Sequence, residues 1–563
     1  MSNSKLELTW IGKDKQFKIE PRILIEDKEK SYGDKNTGNM LIHGDNLLAL
    51  KALEDKFTNK IKCIYIDPPY NISTANPYYS DYIPISDWLS LMKPRLEILN
   101  RLLSDEGTIF VQIDKELSAH LKILMDEVFG PSKYITTIAV RMSGTSGFKI
   151  EHSDKTIVKN VEYIHVYSKN LNIKPVYEKA NYDSHYSYII KPYKSKYKIS
   201  NLIKEKYVAD LLKKYNLKEK NDNLVILYNI SEEFKKFVFE NKENIGRTHT
   251  APKIKDEEKI FLNNELTNND EVIKRKYGRN EYYIKKNSGG FCQFIPISLK
   301  FNYVDSYDGY NLELSNILGD WWDGFYLDMG NVENEGNVEF KASKKPERLL
   351  FRILNMCTNE GDYILDSFLG SGTTCAVANK MNRKWIGIEM GEHCYTHCIP
   401  RINSIIEGKD KTGITKFVNW QGGGGYKFYE LAPSLLVKDK FNNWVISENF
   451  NGDLLIRAIC KQEKFDYSPD NNYYWKQGKS SENDYIYVTT NYISLEYLQN
   501  IKEEMKDDES LLICCKAYQE ECKDKYDNIT IKKIPQSILN NCEYGRDDYS
   551  LNIEEVLEGQ EHE

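Results

Sequence analysis

The stretch that decides the fold is IKCIYIDPPYN, residues 61–71. Its apolar, β-branched run predicts a buried strand that stops at Asp67, Pro68, Pro69 and Tyr70. In open α/β sheets ligands bind at the carboxyl ends of strands, so we expect this acid and ring at a ligand-binding edge. A carboxylate, a carbonyl without a neighbouring N–H donor and a flat ring suit an exocyclic amine on a planar base. The alternative is an ordinary proline-rich turn against which Tyr70 merely packs.

A second motif, GDYILDSFLGSGTT at residues 361–374, repeats this pattern. A strand ending at Asp366 leads through a glycine-rich loop into a helix predicted over residues 373–381. Glycines at such a turn let a ligand approach the backbone, and the helix N-terminus offers free N–H groups. A third strand, residues 384–388, ends at Glu389, about 20 residues beyond the loop, where an acid can accept ribose hydroxyls. No phosphate-loop lysine follows the glycines, which favours a nucleoside over a triphosphate.

Together these motifs resemble the S-adenosylmethionine-dependent amino-methyltransferases of DNA, in which DPPY is the catalytic motif and Asp-x-Phe-x-Gly-x-Gly the cofactor loop. The catalytic motif comes first, which is the permuted, β-class order. The segments LTWIGKD, EPRILIE, GDNLLALKAL and KKPERLLFRIL resemble the modification (Mod) subunit of type III restriction-modification systems, over residues 5 to about 435. The resemblance implies an α/β fold: a Rossmann-like methyltransferase core with an inserted target-recognition domain and a small C-terminal α/β domain.

The resemblance also implies a reaction, methyl transfer from S-adenosyl-L-methionine to N6 of an adenine flipped out of duplex DNA. Its implied catalytic residues are Asp67, Pro68, Pro69 and Tyr70: the Asp67 carboxylate and the Pro68 carbonyl each accept one N6–H, and Tyr70 stacks on the base. The implied cofactor-binding residues are Asp45, Lys345, Pro346, Asp366, Phe368, Gly370, Ser371, Gly372, Thr373, Thr374 and Glu389. Positioning and electrostatics would supply the rate, so no metal is expected.

Several of these residues have a structural alternative. Asp45 precedes a predicted helix and could cap it as well as face the cofactor. Lys345 could equally be a capping or surface lysine. The glycines at 422–425 indicate a flexible turn rather than a phosphate loop, because neither Lys-Ser nor Lys-Thr follows them. The His/Cys cluster at 393–398 could suggest a metal site, but structural zinc usually needs a second ligand pair.

Charge is segregated along the chain, although the formal net charge is only −7. Residues 185–300 carry 24 Lys and Arg against 15 Asp and Glu, or +9, whereas residues 420–563 carry 16 against 27, or −11. Lysines and tyrosines interleave in the basic region, a pattern that fits either a DNA surface or a merely solvated Tyr-rich one. The family resemblance, which places a target-recognition insertion between the two motif halves, implies the DNA surface. We therefore predict an N-terminal arm (1–39), a catalytic half (40–140), a DNA-reading insertion (141–327), a cofactor half (328–435) and a C-terminal interaction domain (436–563).

Composition and resemblance also bear on location and partners. The polar amino end, the lack of a long apolar run and the eleven cysteines favour a cytoplasmic protein with reduced thiols and no membrane association. The family resemblance implies double-stranded DNA as a partner, a homodimer and a separate restriction (helicase-nuclease) subunit. Three alternatives stay open: an N4-cytosine methyltransferase, a structured-RNA methyltransferase, and a DNA-specificity subunit without activity.

Overall fold

A computed structural model describes residues 7–14, 18–70, 84–144, 157–251, 253–277, 280–288, 290–340, 344–538 and 541–549. The chain forms two compact units, Pro175–Gly319 and the remainder. The smaller unit contains fewer residues than the insertion predicted at 141–327. The difference arises because Val161–Ser168 and Trp321–Trp322 are strands of the large sheet in the other unit.

In the described residues, a ten-stranded mixed sheet forms the centre of the larger unit. Six neighbouring strands, from Gly425–Leu431 to Leu103–Ile113, run parallel, as alternating strands and helices predict. The edge strand Leu24–Gly33 comes from the predicted N-terminal arm, which is thus part of the sheet. From edge to edge the strand order is Leu24–Gly33, Gly425–Leu431, Met40–His43, Lys384–Glu389, Tyr363–Asp366, Ile61–Ile66, Leu103–Ile113, Val161–Ser168, Tyr134–Arg141 and Trp321–Trp322.

Helices with apolar faces pack against this sheet, and their ends follow the local sequence. Lys115–Phe129 begins at Asp114, whose carboxylate accepts the N–H groups of the first turn, and ends at Gly130 with φ +91°. Pro94 lies inside Ile85–Leu102, which continues through it. The helices of this region are Asn46–Phe57, Ile85–Leu102, Lys115–Phe129, Phe325–Asp328, Glu347–Cys357, Thr373–Lys380 and Ile399–Ile406, with short 3-10 or π turns at Pro131–Lys133, Val332–Asn337, Cys394–Cys398 and Gly413–Thr415.

The C-terminal region of the larger unit contains a strand, a helix and a strand, as expected for a small α/β domain, in Asp484–Ile493, Leu495–Glu504 and Ser510–Tyr518. These strands and Ile529–Lys533 are parallel neighbours in a five-stranded sheet. The remaining elements of the region are the strands Leu436–Lys438, Trp444–Ile446, Asp466–Tyr467 and Gly478–Lys479, the helix Gly452–Gln462 and the 3-10 turn Glu520–Cys522.

The last described segment, residues 541–549, returns to the catalytic half of the chain. Tyr549 is buried in the hydrophobic core of the large sheet, and its N–H donates to Asp45. Asp547 forms an ion pair with Arg22 of the N-terminal arm at 2.6 Å. The tail predicted to serve interaction therefore also stabilises the core by packing.

The smaller unit combines a closed six-stranded barrel, a three-stranded sheet and short helices in its described residues. The barrel order is Ile245–Thr250, Gly290–Pro296, Asn280–Asn287, Glu271–Tyr277, Lys196–Asn201 and Tyr188–Tyr193. The three-stranded sheet consists of Phe301–Ser306, Gly309–Ile317 and Tyr177–Lys179. The helices are Lys206–Lys214, Asn223–Ile230, Glu232–Glu240 and Asp256–Glu265, with 3-10 turns at Leu202–Lys204 and Ile297–Lys300.

The remaining features concern the cysteines, possible metal-binding groups and possible membrane-spanning helices. All eleven cysteines are free thiols, and ten of them are buried. Within the described ranges, His, Cys, Asp and Glu side chains form no group of three or more that could hold a metal ion. The helices of those ranges include none with the length and apolar character needed to cross a membrane.

Candidate active site at the strand ends

Three predicted site carboxylates lie where neighbouring parallel strands end. Ile61–Ile66 pairs in parallel with Tyr363–Asp366, which pairs in parallel with Lys384–Glu389. Asp67, Asp366 and Glu389 therefore meet at one edge of the sheet, as the strand-exit argument predicts.

The Asp67 carboxylate is largely buried, and only one of its two oxygens has a partner among the described residues. Its Oδ2 lies 3.0 Å from the Lys345 ammonium. Its Oδ1 is buried and has no hydrogen-bond partner among the described residues. Burial raises the pKa of Asp67, Lys345 opposes that shift, and the net direction is upward. The site thus contains a buried acceptor that a donor on a ligand or an ordered water can satisfy.

Tyr70 and Pro69 each form a hydrogen bond with a neighbouring side chain. The Tyr70 hydroxyl donates to Glu162 Oε2 at 2.8 Å, and burial raises its pKa well above the ordinary value. The Trp88 indole N–H donates to the Pro69 carbonyl at 2.8 Å. The DPPY turn is therefore held in place by hydrogen bonds from Tyr70 to Glu162 and from Trp88 to Pro69.

Lys345 lies at the catalytic motif. Besides Asp67, its Nζ contacts Glu162 Oε2 at 3.2 Å and lies 4.8 Å from the centre of the Tyr70 ring. The side chain is 7% exposed, which contradicts the surface-lysine alternative. Pro346 precedes the helix Glu347–Cys357 as its N-cap residue. A role for Lys345 and Pro346 in cofactor binding remains a prediction.

Asp366 organises the start of the predicted cofactor loop. Its Oδ1 accepts the Phe368 N–H at 3.0 Å, and its Oδ2 accepts the Thr374 hydroxyl at 2.5 Å. Burial raises the pKa of Asp366 to about 7, although both hydrogen bonds favour the charged form. The carboxyl ties the strand end to the helix Thr373–Lys380.

The glycines of this loop have the backbone conformation that glycine favours. Gly370 has φ +55°, and a Cβ there would meet no atom of the described residues within 4 Å. Gly372 has φ +82° and immediately precedes the helix. Arg401 donates to the Ser371 carbonyl at 3.2 Å and to the Thr373 hydroxyl at 2.8 Å. Arg401 thus fixes the loop at Ser371 and Thr373, while the Cα of Gly370 faces space that the described residues leave open.

Glu389 turns its carboxylate towards the same loop. Its Oε2 accepts the Gly370 N–H at 2.7 Å, and its Oε1 accepts the N–H groups of Met390 and Gly391 at 2.9 Å each. His393 Nε2 lies 3.0 Å from Oε1. In this conformation one lone pair of Oε2 remains for a further donor. The expected acceptance of two ribose hydroxyls would need some of these bonds to exchange.

Asp45 caps the helix Asn46–Phe57. Its Oδ1 accepts the N–H groups of Leu47 and Leu48, and its Oδ2 faces Arg95 at 3.3 Å and the Tyr549 N–H at 3.1 Å. The capping interpretation is thus confirmed. A cofactor contact by this carboxylate stays a prediction, and it would compete with these donors.

The arrangement leaves a second buried polar atom without a partner. Ser367 Oγ, directly after Asp366, has no hydrogen-bond partner in the described part of the chain. Together with Asp67 Oδ1 and the open space at Gly370, it fits a site that a polar ligand completes.

Sequence reasoning missed Glu162, Gln112 and Arg401. Gln112 donates to Glu162 Oε2 at 2.6 Å and accepts the Tyr65 hydroxyl at 2.6 Å. The alternating run VEYIHVYS does indicate a strand. Its pairing with Leu103–Ile113 crosses about 50 residues of sequence, which periodicity cannot reveal.

Comparisons with known proteins identify the family of the chain. The DNA methylase family pattern matches residues 61–399. The chain is 36% identical over 421 residues to the "Probable type III restriction-modification enzyme HindVI Mod subunit" of Haemophilus influenzae, covering 70% of this chain and 54% of that protein. It is 27% identical over 449 residues to the type III restriction-modification enzyme EcoPI Mod subunit of Escherichia phage P1, covering 68% of this chain and 62% of that protein.

Among solved structures, the PvuII cytosine-N4-specific DNA methyltransferase aligns with 72% of this chain and 95% of its own. The identity is 14% and the TM-score is 0.31, so the whole chains superpose poorly. The chain spans between about half and three fifths of the length of the two Mod subunits above. The family pattern, in contrast, covers more than half of this chain and includes both motifs of the site, so the chain belongs to the DNA methylase family.

Proposed function

We propose that this chain transfers a methyl group from S-adenosyl-L-methionine to N6 of an adenine flipped out of duplex DNA, as the modification subunit of a type III restriction-modification system. The observation that carries the proposal is the buried Asp67 Oδ1 at the end of a central strand, for which the described residues provide no donor. Similarity to type III Mod subunits supports the choice of this system, and Asp67, rather than a serine, before Pro68-Pro69-Tyr70 favours adenine.

The residues that would hold the cofactor are those of the glycine-rich loop and its surroundings. Gly370 leaves room at the loop, Ser367 Oγ offers an unused polar atom, and Glu389 Oε2 retains one lone pair. S-adenosyl-L-methionine bound there supplies an electrophilic methyl group. Asp366, Phe368 and Thr374 would keep the loop in shape.

Asp67 and Pro68 would act on the target amine. An adenine amino group is a poor nucleophile because its lone pair is delocalised into the ring. If Asp67 Oδ1 and the Pro68 carbonyl each accept one N–H, the nitrogen is drawn towards sp³ geometry and its lone pair is freed. Tyr70, braced by Glu162, would stack on the base, which must leave the duplex to reach this edge.

The smaller unit, Pro175–Gly319, is our candidate for reading DNA. Two stretches of this unit are rich in Lys and Tyr, at residues 185–198 and 274–286. Although they are far apart in sequence, they contribute to four consecutive barrel strands, Tyr188–Tyr193, Lys196–Asn201, Glu271–Tyr277 and Asn280–Asn287. Lys276 is exposed on the strand Glu271–Tyr277, and Lys194 is exposed in the turn between Tyr188–Tyr193 and Lys196–Asn201. Lysines there can neutralise phosphates, while tyrosines stack or donate hydrogen bonds.

This DNA-binding role has a direct test. In Lys194→Ala with Lys276→Ala, affinity for duplex DNA should fall, and the slope of log affinity against log salt should drop by about 2. Lys236→Ala, an exposed lysine on a helix of the same unit, is the matched control. An unchanged slope in the double variant would reject the barrel as the DNA surface.

We also propose a homodimer that joins a separate restriction subunit, with the acidic C-terminal region as the contact. A net charge of −11 over residues 420–563 disfavours DNA and suits protein contact. Sedimentation analysis tests the dimer, and co-purification from cells that express a neighbouring restriction subunit tests the contact. A monomer that captures no such subunit would contradict both.

Two other functions remain as alternatives, and only the first would use this edge of the sheet. N4-cytosine methylation presents an equivalent amine to Asp67, and a DNA-specificity subunit would need only the basic barrel. Sequencing of modified bases in DNA from cells with and without the gene separates them. We expect N6-methyladenine at one sequence that depends on the gene; N4-methylcytosine or no modification would favour the alternatives.

A further inference from the structure

We propose that Glu162 is a positioning residue of the methyl-transfer site: it holds Tyr70 and Lys345, and through Lys345 it orients the Asp67 carboxylate. The proposal rests on the function proposed above. Glu162 lies outside the DPPY motif, on the strand Val161–Ser168, in the region that the sequence assigned to DNA reading.

Glu162 receives three donors on one oxygen. Its Oε2 accepts from the Tyr70 hydroxyl at 2.8 Å and from Gln112 Nε2 at 2.6 Å, and it lies 3.2 Å from Lys345 Nζ. Three charge-assisted contacts on one atom fix its position more firmly than a single hydrogen bond could. Glu162 is therefore the point at which the aromatic ring and the lysine of the site are tied together.

The orientation of this acceptor is set from deeper in the core. The buried Tyr65 hydroxyl donates to Gln112 Oε1 at 2.6 Å. Because Oε1 is the acceptor of the amide, the NH₂ group of Gln112 must point to Glu162. Tyr65 lies on the strand that ends in DPPY, and Gln112 lies on the next one. The hydrogen bonds from Tyr65 through Gln112 to Glu162 thus connect three neighbouring strands of the sheet.

The same contacts divide the work of Asp67 between its two oxygens. Lys345 binds Oδ2 at 3.0 Å, while Oδ1 is buried with no partner in the described residues. Glu162 holds Lys345 from the other side, so the ammonium is shared between two carboxylates. The cluster of Asp67, Glu162 and Lys345 has a formal charge of −1, which suits an amine that becomes positive during methyl transfer.

The surrounding charges make opposite predictions for two substitutions. The charged or titratable groups that act on Asp67 are Lys345, Glu162, Tyr70, Tyr65 and Asp366. Burial raises the pKa of Asp67, Lys345 lowers it and Glu162 raises it. Loss of the Glu162 charge should therefore lower the pKa of Asp67, and loss of the Lys345 charge should raise it.

The test is the pH profile of kcat/KM for purified full-length protein on duplex DNA. Methylation needs ionised Asp67, so its rate falls as pH drops through the pKa of Asp67. The acidic limb should move to lower pH in Glu162→Gln and to higher pH in Lys345→Met. At the pH optimum, kcat of Glu162→Gln should fall roughly 10-fold or more, as expected for a lost charged hydrogen bond, while KM for DNA changes little.

A double-mutant cycle tests the link through Tyr70. Tyr70→Phe removes the hydroxyl that Glu162 accepts, so Glu162→Gln should cost less in that background than in the wild type. Glu116→Gln, an exposed glutamate paired with Lys159 on the surface of the same unit, is the matched control and should leave the profile unchanged. Thermal melts and fluorescence of 2-aminopurine at the target position report folding and base binding separately.

The outcomes are distinguishable. Wild-type protein that methylates nothing would refute the proposed function. Active wild type with Glu162→Gln and Lys345→Met profiles that match it would overturn the positioning role. Additive losses in the cycle would overturn the link through Tyr70. If Glu162→Gln does not fold, the pH profile of Lys345→Met decides. An acidic limb at the wild-type pH would then reject the coupling of Asp67, Glu162 and Lys345.

Discussion

The buried charge cluster behind the cofactor loop offers a sharp test of the fold. Glu347, the first residue of the helix Glu347–Cys357, is completely buried. Its carboxylate lies 2.7 Å from Lys380 Nζ and 2.9 Å from Arg401 Nη2, and it accepts the Ile414 N–H at 3.1 Å. The perturbation is Glu347→Gln, which keeps the shape of the side chain and removes its charge.

The expected loss follows from which cation is left unpaired. Lys380 keeps Asp410 at 2.6 Å, whereas the hydrogen bonds that Arg401 keeps within the described residues go to neutral acceptors on the loop, at Ser371 and Thr373. Removing one partner of a buried ion pair typically costs 3–5 kcal/mol, and since only one cation is stranded we expect about 3 kcal/mol. Arg401 should then hold the loop less well, so affinity for S-adenosyl-L-methionine should fall too.

Urea denaturation followed by tryptophan fluorescence measures the stability, and calorimetry measures cofactor affinity. Burial raises the pKa of Glu347, but Lys380 and Arg401 outweigh it and hold the pKa below the ordinary value. The stabilisation is therefore present at neutral pH and is lost in acid. Glu360→Gln, an exposed glutamate just after the same helix, is the control. A loss below about 1 kcal/mol at neutral pH would refute the reasoning.

Three further changes have expected outcomes. Burial raises the pKa of Asp366 to about 7, so the wild type should lose stability relative to Asp366→Asn as pH rises from about 4 to 7; parallel urea midpoints would contradict this. Tyr549→Ala should cost about 3–5 kcal/mol, as for other buried aromatics, whereas Tyr492→Ala at an exposed ring should cost little; equal losses would reject the packing role of the tail. Glu389→Ala releases the Gly370 N–H and should weaken S-adenosyl-L-methionine binding; unchanged affinity in calorimetry would exclude Glu389 from the site.

The sequence predicted the strand exits well because their signals are local. A β-branched run stopped by Asp-Pro-Pro, and another stopped by Asp and glycines, each define an end of a buried strand. Parallel pairing then brings Asp67, Asp366 and Glu389 to one edge without further information.

The contacts that complete the site could not be predicted in this way, because they depend on which distant strands become neighbours. Glu162 reaches Tyr70 only because its strand pairs antiparallel with Leu103–Ile113. Lys345 was predicted to be a cofactor-binding, capping or surface lysine, and its contact with Asp67 could not be read from the sequence. Tyr549 looked like part of an independent tail, and its burial depends on the chain returning to the core.

The most direct test of the central claim is mass spectrometry of nucleosides from duplex DNA incubated with the purified protein and S-adenosyl-L-methionine. Asp67→Asn removes the charge of the proposed acceptor, and Asp105→Asn, an exposed aspartate on the same unit, is its control. We predict N6-methyladenine with wild type and Asp105→Asn, and a loss of at least about 100-fold with folded Asp67→Asn. Undiminished methylation by Asp67→Asn would contradict the account.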